Sequence, residues 1–353
     1  MASSSGPSSP GGDSVSVVIP TFNRSRRIVA ALRSVLTVLK PGDEVIVVDD
    51  GSTDDTAAVL APFRERIRYI GTPNRGCGAA RNRGIREATK ALVAFLDSDD
   101  EWMADKLLLQ RRVLAARPDV LFCFSDFAVR DDAGREQRFH LKRWHKDPRS
   151  WTEILGPSFP FSSIGELPPQ RPDFDVYVGS LYLSEMSANY VFTSTLLARR
   201  QEAGDALRFA EDVPINEDWE CVGRLARIGS AAYLSCETAW NGGHSGPRIS
   251  DADEFMRATN LLIVLGRIWG SDAGFLAAHE ARYRAVVTEQ HLVRARTLLR
   301  NGRTDDAQVE LRHAERAPLK LRVAAALPGP LVRSVMRVLR PEKVPARRPE
   351  GTK

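Results

Sequence analysis

Residues 91–100 read Ala91-Leu92-Val93-Ala94-Phe95-Leu96-Asp97-Ser98-Asp99-Asp100. Six apolar residues with no polar alternation describe a strand buried on both faces. Carboxylates crowd its end. Two earlier stretches share this form. Glu44–Val48 runs into Asp49-Asp50-Gly51-Ser52, and Ser14–Pro20, with Val15, Val17, Val18 and Ile19, runs into Thr21-Phe22-Asn23. Between these strands the spacing of Ile28, Leu32, Val35 and Leu36 predicts a helix. A second helix is expected from about Thr53 to Leu60, a short strand at about Ile67–Ile70, and a third helix from Ala79 to Thr89 behind a turn at Gly76 and Gly78. This alternation predicts a Rossmann-like, mainly parallel sheet flanked by helices. Ligands of such sheets bind beyond the carboxyl ends of the strands. The polar residues at the three strand ends are therefore expected to face one ligand.

Farther along, Leu121–Phe124 reads as a strand, 134–183 as long loops rich in Pro, Trp and Phe, and 190–240 as a return to regular structure. There Asn216-Glu217-Asp218-Trp219-Glu220 opens a helix with Val222, Leu225 and Ala226 on its apolar side. Residues 252–300 and 304–316 read as a helix pair parted at Asn301-Gly302. The pair faintly resembles one tetratricopeptide unit, and one unit is not a solenoid. The organisation expected is a flexible leader at 1–13, an α/β domain at 14–245, a helical extension at 246–316 and a basic tail at 317–353.

The 353 residues are 43% hydrophobic and 27% charged, ordinary values for a globular chain. The net charge of +5 is uneven: nine Lys/Arg against two Asp/Glu fall in 317–353, so that tail carries +7 and the rest of the chain −2. With no basic stripe on the body, nucleic acid is not an expected partner. Cys77, Cys123, Cys221 and Cys236 have no metal-ligand or redox spacing, which suits a reducing cytoplasm. The first 13 residues lack the apolar core of a signal peptide, and no apolar run approaches the roughly 20 residues that span a bilayer. In the tail, a helix starting near Pro330 would set Leu331, Val332, Val335, Met336 and Leu339 against Arg333, Arg337 and Arg340. Such a helix either packs on the body or lies on an anionic membrane face, giving a cytoplasmic protein with or without peripheral contact at the inner membrane.

Asp97, Asp99 and Asp100 repel one another unless a cation joins them. Hard divalent ions take carboxylate and phosphate oxygens together, although acids also suit a helix start. The wider pattern is more specific. Ser16-Val17-Val18-Ile19-Pro20-Thr21-Phe22-Asn23-Arg24, Val47-Val48-Asp49-Asp50-Gly51-Ser52-Thr53-Asp54, Asn74-Arg75-Gly76 with Ala79-Ala80-Arg81-Asn82-Arg83-Gly84, and Phe95-Leu96-Asp97-Ser98-Asp99-Asp100 resemble the successive motifs of family 2 glycosyltransferases. The resemblance covers 14–103 and resumes at Asn216-Glu217-Asp218-Trp219; 130–210 matches none of these motifs.

The resemblance implies a GT-A fold with a C-terminal helical extension. It also implies inverting, metal-dependent transfer of a sugar from a nucleotide-diphosphate donor, UDP by preference, to a saccharide, lipid-linked or other hydroxyl acceptor. Phe22 would stack on the base, Asp50 would accept the uracil imide hydrogen, and Pro20, Thr21 and Arg24 would line the same pocket. Arg81, near the start of its helix, would meet the diphosphate. Asp99 would bind manganese or magnesium, with Asp97 on the ribose or on a metal-bound water. Asp218 would be the general base. His244, after Asn241-Gly242-Gly243, is a further metal-ligand candidate. Two other readings compete: a non-catalytic sugar-nucleotide binder, and a nicotinamide-dependent dehydrogenase suggested by Gly76-Cys77-Gly78. Arg81 stands where the third glycine of that dinucleotide motif belongs.

Overall fold

The computed structural model describes residues 12–243 and 253–338, so the leader up to residue 11, His244 and the tail beyond 338 lie outside the described residues. The chain divides into two compact units, 1–251 and 252–353.

The first unit is built on one sheet. Its strands are β1 Val15–Thr21, β2 Glu44–Asp49, β3 Arg68–Gly71, β4 Leu92–Phe95, β5 Glu101–Trp102, β6 Val120–Asp131, β7 Glu136–Gln137, β8 Ser158–Pro160, β9 Asp175–Gly179, β10 Leu197–Arg199 and β11 Ser230–Gly243. The order across the sheet is β3-β2-β1-β4-β10-β6-β11-β9-β8, with β5 beside β11 and β7 beside β6. β1 pairs in parallel with both β2 and β4, β2 with β3, and β6 with β11. β10 runs antiparallel between β4 and β6. The chain order reverses at β1, the switch point beyond whose strand ends ligands of such sheets bind. The residues of β1 and β4 are all buried, as continuous apolar runs require.

The helices of this unit are α1 Ile28–Leu36, α2 Thr56–Leu60, α3 Cys77–Glu87, α4 Lys106–Ala116, α5 Leu141–His145, α6 Trp151–Ile154, α7 Tyr182–Glu185, α8 Arg200–Ala203 and α9 Glu217–Ile228. α1 buries Ile28, Leu32, Val35 and Leu36, the four positions its spacing singled out. α2 starts three residues later than expected. Backbone NH groups of Thr53 and Asp54 donate to Asn23 Oδ1, at 2.8 and 3.3 Å, and are thereby drawn into the loop after β1. α3 packs closely on β1: a Cβ added at Gly84 would meet Val18 Cγ1 at 2.3 Å.

Three features go beyond the expectations. After the acidic turn, Lys106–Ala116 forms the 11-residue helix α4, which the spacing did not announce. The strand expected at Leu121–Phe124 forms and extends over the 12-residue β6. The long loops of 134–183 contain short elements, among them α5, α6, β8 and β9.

The second unit contains α10 Glu254–Ile268, α11 Ala273–Arg300, α12 Thr304–His313, α13 Leu319–Ala325 and α14 Gly329–Val338. The single helix expected over 252–300 is broken at Trp269–Asp272, where the Asp272 side chain accepts from Phe275 NH and starts a new helix. It also departs from helical geometry at His279. The predicted parting at Asn301-Gly302 forms, with Gly302 at φ 74°. Leu321, Ala324, Ala325 and Val332, from the stretch assigned to the tail, join Leu292, Leu298 and Leu311 in this unit's own core. No helix among the described residues is long and apolar enough to cross a membrane.

Candidate active site

The loops after β1 and β2 lock together. Asn23, at φ 52°, holds the 53–54 backbone, and its own NH donates to Ser52 Oγ at 2.9 Å. Asp49 accepts from Ser52 NH at 2.8 Å and from the Tyr69 hydroxyl at 2.6 Å. Asp50 is buried. Its two oxygens accept the backbone NH groups of Arg75 at 3.0 Å and Gly76 at 2.7 Å. Asp50 therefore shapes the glycine turn before α3, and its spare lone pairs are what remain for a ligand. Phe22 stands at the end of β1 with 43% of its surface exposed, a flat ring open to a stacking partner. Beside it Thr21 is buried, and its Oγ1 has no hydrogen-bond partner among the described residues. Pro20 lies buried one residue earlier in β1.

The two glycines of the dinucleotide-like motif have other tasks. Gly76 adopts φ 92°. A Cβ on Gly78 would fall 2.2 Å from the Ala210 carbonyl oxygen, so Gly78 admits the segment entering α9 and does not cradle a pyrophosphate. Asn82 ties that same segment to α3, donating to the Phe209 carbonyl and accepting Phe209 NH, both at 2.9 Å.

Arg81 was expected to face a diphosphate. It is turned inward, 3% exposed, and donates to Asp97 Oδ1 at 2.6 Å and to Glu217 Oε1 at 2.8 Å, with the Phe209 ring beside its guanidinium. One cation thus fixes the acidic turn after β4 to the start of α9. Burial and the neighbouring Asp218 push the Glu217 carboxyl up to about 7, against the pull of Arg81.

The three acids after β4 have separate fates. Asp100 is buried; it accepts the Ser194 hydroxyl, and its Oδ1 accepts from Asn241 Nδ2 at 3.0 Å and Gly242 NH at 3.1 Å. Burial, with Asp97 and Asp99 close by, raises its pKa well above the usual carboxylate range. Asp100 is thus a structural tie to the end of β11, where a Cβ on Gly242 would strike the Asp99 carbonyl oxygen at 2.2 Å. Asp97 and Asp99 are partly exposed, and Arg24 Nε lies 3.4 Å from Asp99 Oδ2. Among the described residues no group of three or more His, Cys, Asp or Glu side chains could hold a metal. Magnesium is commonly held by one or two carboxylates plus substrate phosphates. The turn fits a cation completed by a diphosphate and does not fit a caged, resident ion.

Asp218, in the first turn of α9, is partly exposed. Its Oδ2 accepts from Asn189 Nδ2 at 3.2 Å and Thr193 Oγ1 at 3.4 Å, and its Oδ1 from Trp219 NH at 2.8 Å. Burial raises its pKa, helped by Asp97 and opposed by Arg81 and these donors. Nearby, Glu185 is fully buried and pushed well above the carboxylate range by that burial; its backbone oxygen accepts from Trp219 Nε1 at 2.6 Å.

The sequence reading missed the segment that unites the site. Asn189 and Thr193 reach Asp218. Ser194 Oγ reaches Asp100 and accepts Asp97 NH at 3.1 Å, while the Ser194 carbonyl accepts Trp102 Nε1 at 2.8 Å. The Thr195 carbonyl accepts from Lys106 Nζ at 3.1 Å and Gln110 Nε2 at 2.6 Å. The available signal was three polar residues, Thr193-Ser194-Thr195, set between the apolar runs Tyr190–Phe192 and Leu196–Ala198, and all three are buried.

A sheet of this order, with acids gathered at the ends of its inner parallel strands and a second carboxylate pair at the start of α9, has the GT-A fold. Comparisons agree. The crystal structure of S. aureus TarS 1–349 in complex with UDP-GlcNAc superimposes with a TM-score of 0.57 at 19% identity, over 92% of this chain and 87% of that one. Residues 16–163 match the model of Glycosyl transferase family 2. The succinoglycan biosynthesis protein ExoO of Rhizobium meliloti is 30% identical over 230 residues, 62% of this chain and 60% of that protein. An uncharacterized glycosyltransferase of Rickettsia conorii is 40% identical over 102 residues, 28% of this chain and 17% of that protein. The chain thus spans less than two thirds of the length of either relative. Residues 16–163 are thus similar to family 2 glycosyltransferases.

Proposed function

We propose that the protein transfers a sugar, with inversion, from a UDP-sugar to an acceptor hydroxyl in the building of a polysaccharide or glycoconjugate. The observation that carries this reading is Arg81, whose single guanidinium holds Asp97 of the donor-side turn and Glu217 beside Asp218. It sets the donor turn and a candidate base on one rigid support. Relatives support the substrate class: a UDP-Glc:alpha-D-GlcNAc-diphosphoundecaprenol beta-1,3-glucosyltransferase of Escherichia coli, WfgD, is 32% identical over 117 residues.

In this reading Phe22 stacks on the uracil, and Thr21 and Asp50 line its pocket. Arg24 and Asp99 face the diphosphate. A divalent cation, manganese or magnesium, would neutralise the departing diphosphate when held by Asp99. Asp218 accepts the proton of the attacking hydroxyl. Its raised pKa suits a base, because a carboxylate nearer neutrality draws the proton more strongly. Asn189 and Thr193 orient it. His244 is retained as a candidate ligand.

Thermal shift with UDP, with and without manganese, tests the donor site, since a ligand of the folded state raises the melting temperature. UDP is expected to stabilise the protein, more so with manganese, and Asp99→Ala is expected to remove the manganese-dependent part. Stabilisation by NAD and not by UDP would overturn the reading.

A further inference from the structure

We propose that α5 and the residue after it, which pack on Tyr190 and Phe192 next to the partners of Asp218, form an acceptor subsite for a saccharide bearing phosphate. The inference rests on the glycosyltransferase reading and supplies what that reading lacks, the class of acceptor.

The first observation is an aromatic ring left open. Trp144 is 39% exposed, and its ring is backed by Phe127 at 5.7 Å, edge to face, and by Phe192 at 5.7 Å. A ring held this way presents a fixed flat surface, suited to the C–H face of a sugar ring. Its location links it to the chemistry. Phe192 adjoins Thr193, which donates to Asp218, and the neighbouring His145 ring packs 4.7 Å from Tyr190, which adjoins Asn189, the other donor to Asp218. α5 therefore sits on the two residues that flank the base's partners.

The second observation is charge. Lys142, Arg143 and Lys146 are exposed on and just after α5, and none makes an ion pair among the described residues. Arg138 and Arg149 close by are neutralised, by Glu237 and Asp147. Three uncompensated cations within five residues stand out on a chain whose first 316 residues carry −2 overall. A solvated face needs no such excess of one sign. Phosphate oxygens are the natural complement of clustered Lys and Arg. A membrane surface is the lesser match. Trp144 packs on Phe127 and Phe192 and is 39% exposed, so most of its surface is already buried in the protein.

The test titrates the full chain, with UDP present, by calorimetry against glucose 1-phosphate, farnesyl-diphosphoglucose and maltotriose, and by flotation against phosphatidylglycerol vesicles. Both phosphate-bearing sugars are expected to bind and maltotriose not; a preference between the two shows whether the phosphate is free or lipid-borne. Trp144→Ala is expected to weaken binding about tenfold or more. The exposed pair Lys142→Ala/Arg143→Ala, which removes no packing, is expected to do the same while leaving the UDP thermal shift intact. The proposal is overturned by equal binding of maltotriose, by unchanged affinity in the charge variant, by vesicle binding without sugar-phosphate binding, or by no sugar binding while UDP still stabilises the protein. Failure of UDP itself to stabilise it would bring down the donor reading, a result distinct from all of these.

Discussion

In the proposed mechanism the base is Asp218, and Asn189, which donates to its carboxylate, orients it. Asp218→Asn keeps the shape and removes the base, so transfer is expected to fall by about 10²–10⁴-fold while the UDP thermal shift is retained. Undiminished transfer would remove Asp218 from this role. The pH dependence has a definite sign. The base works ionised, so the rate falls as pH drops through its pKa, and burial sets that limb at a higher pH than an ordinary aspartate would. Asn189 donates to the ionised form and lowers the pKa. Asn189→Ala is therefore expected to move the acid limb of kcat/KM upward, a shift that a mere loss of folded protein would not produce. At this scale the sequence was readable where a side chain has one conspicuous task. Phe22 is exposed at the end of β1, Asp99 lies in the turn after β4 and Asp218 in the first turn of α9, each open to the role proposed for it. Arg81 and Asp50 did not announce that their first partners are protein groups, because a cation or carboxylate in a motif looks the same whether it meets a ligand or a neighbouring loop.

Secondary-structure elements explain why. β1, β2 and β4 were legible because a strand buried on both faces needs an unbroken apolar run. α5, α6, β8 and β9, of three to five residues, are too short to show any period. α3 and α9 are held by Arg81, and removal of that cation leaves Asp97 and Glu217 without their partner. Arg81→Met is expected to cost about 3–5 kcal/mol in a urea titration. α4 carries a second test. Lys106 is fully buried, and that burial lowers its pKa to about 7 from an ordinary 10.5. The unfolded chain then binds the proton more tightly, so this group's contribution to stability rises as pH climbs from about 7 to 10.5 and is lost on the way down. Lys106→Met is expected to flatten that part of the stability profile, as read from unfolding midpoints across the pH range.

For the whole molecule, each unit has its own buried core, and a chain with two cores need not unfold in one step. Calorimetry is expected to show two transitions, of which UDP raises only the one belonging to 12–243. A single transition shifted as a whole would mean that the units unfold together. The division into an α/β body and a helical extension was legible from the change of period after Pro247. The division inside the extension was not, since α13 and α14 read as basic tail until Val332 and Leu321 are seen to be buried.

The seven residues 189–195 have a consequence for recombination. They carry the supports of Asp218, Asp97 and Asp100 in one uninterrupted stretch, and Lys106 and Gln110 fasten their far end. A crossover placed inside 189–195 splits supports inherited together and disturbs both carboxylate centres at once. Crossovers at about 134 and 186 leave them whole. If α5 is the acceptor subsite proposed above, exchanging the stretch between among relatives is expected to change the acceptor while the UDP thermal shift stays that of the parent.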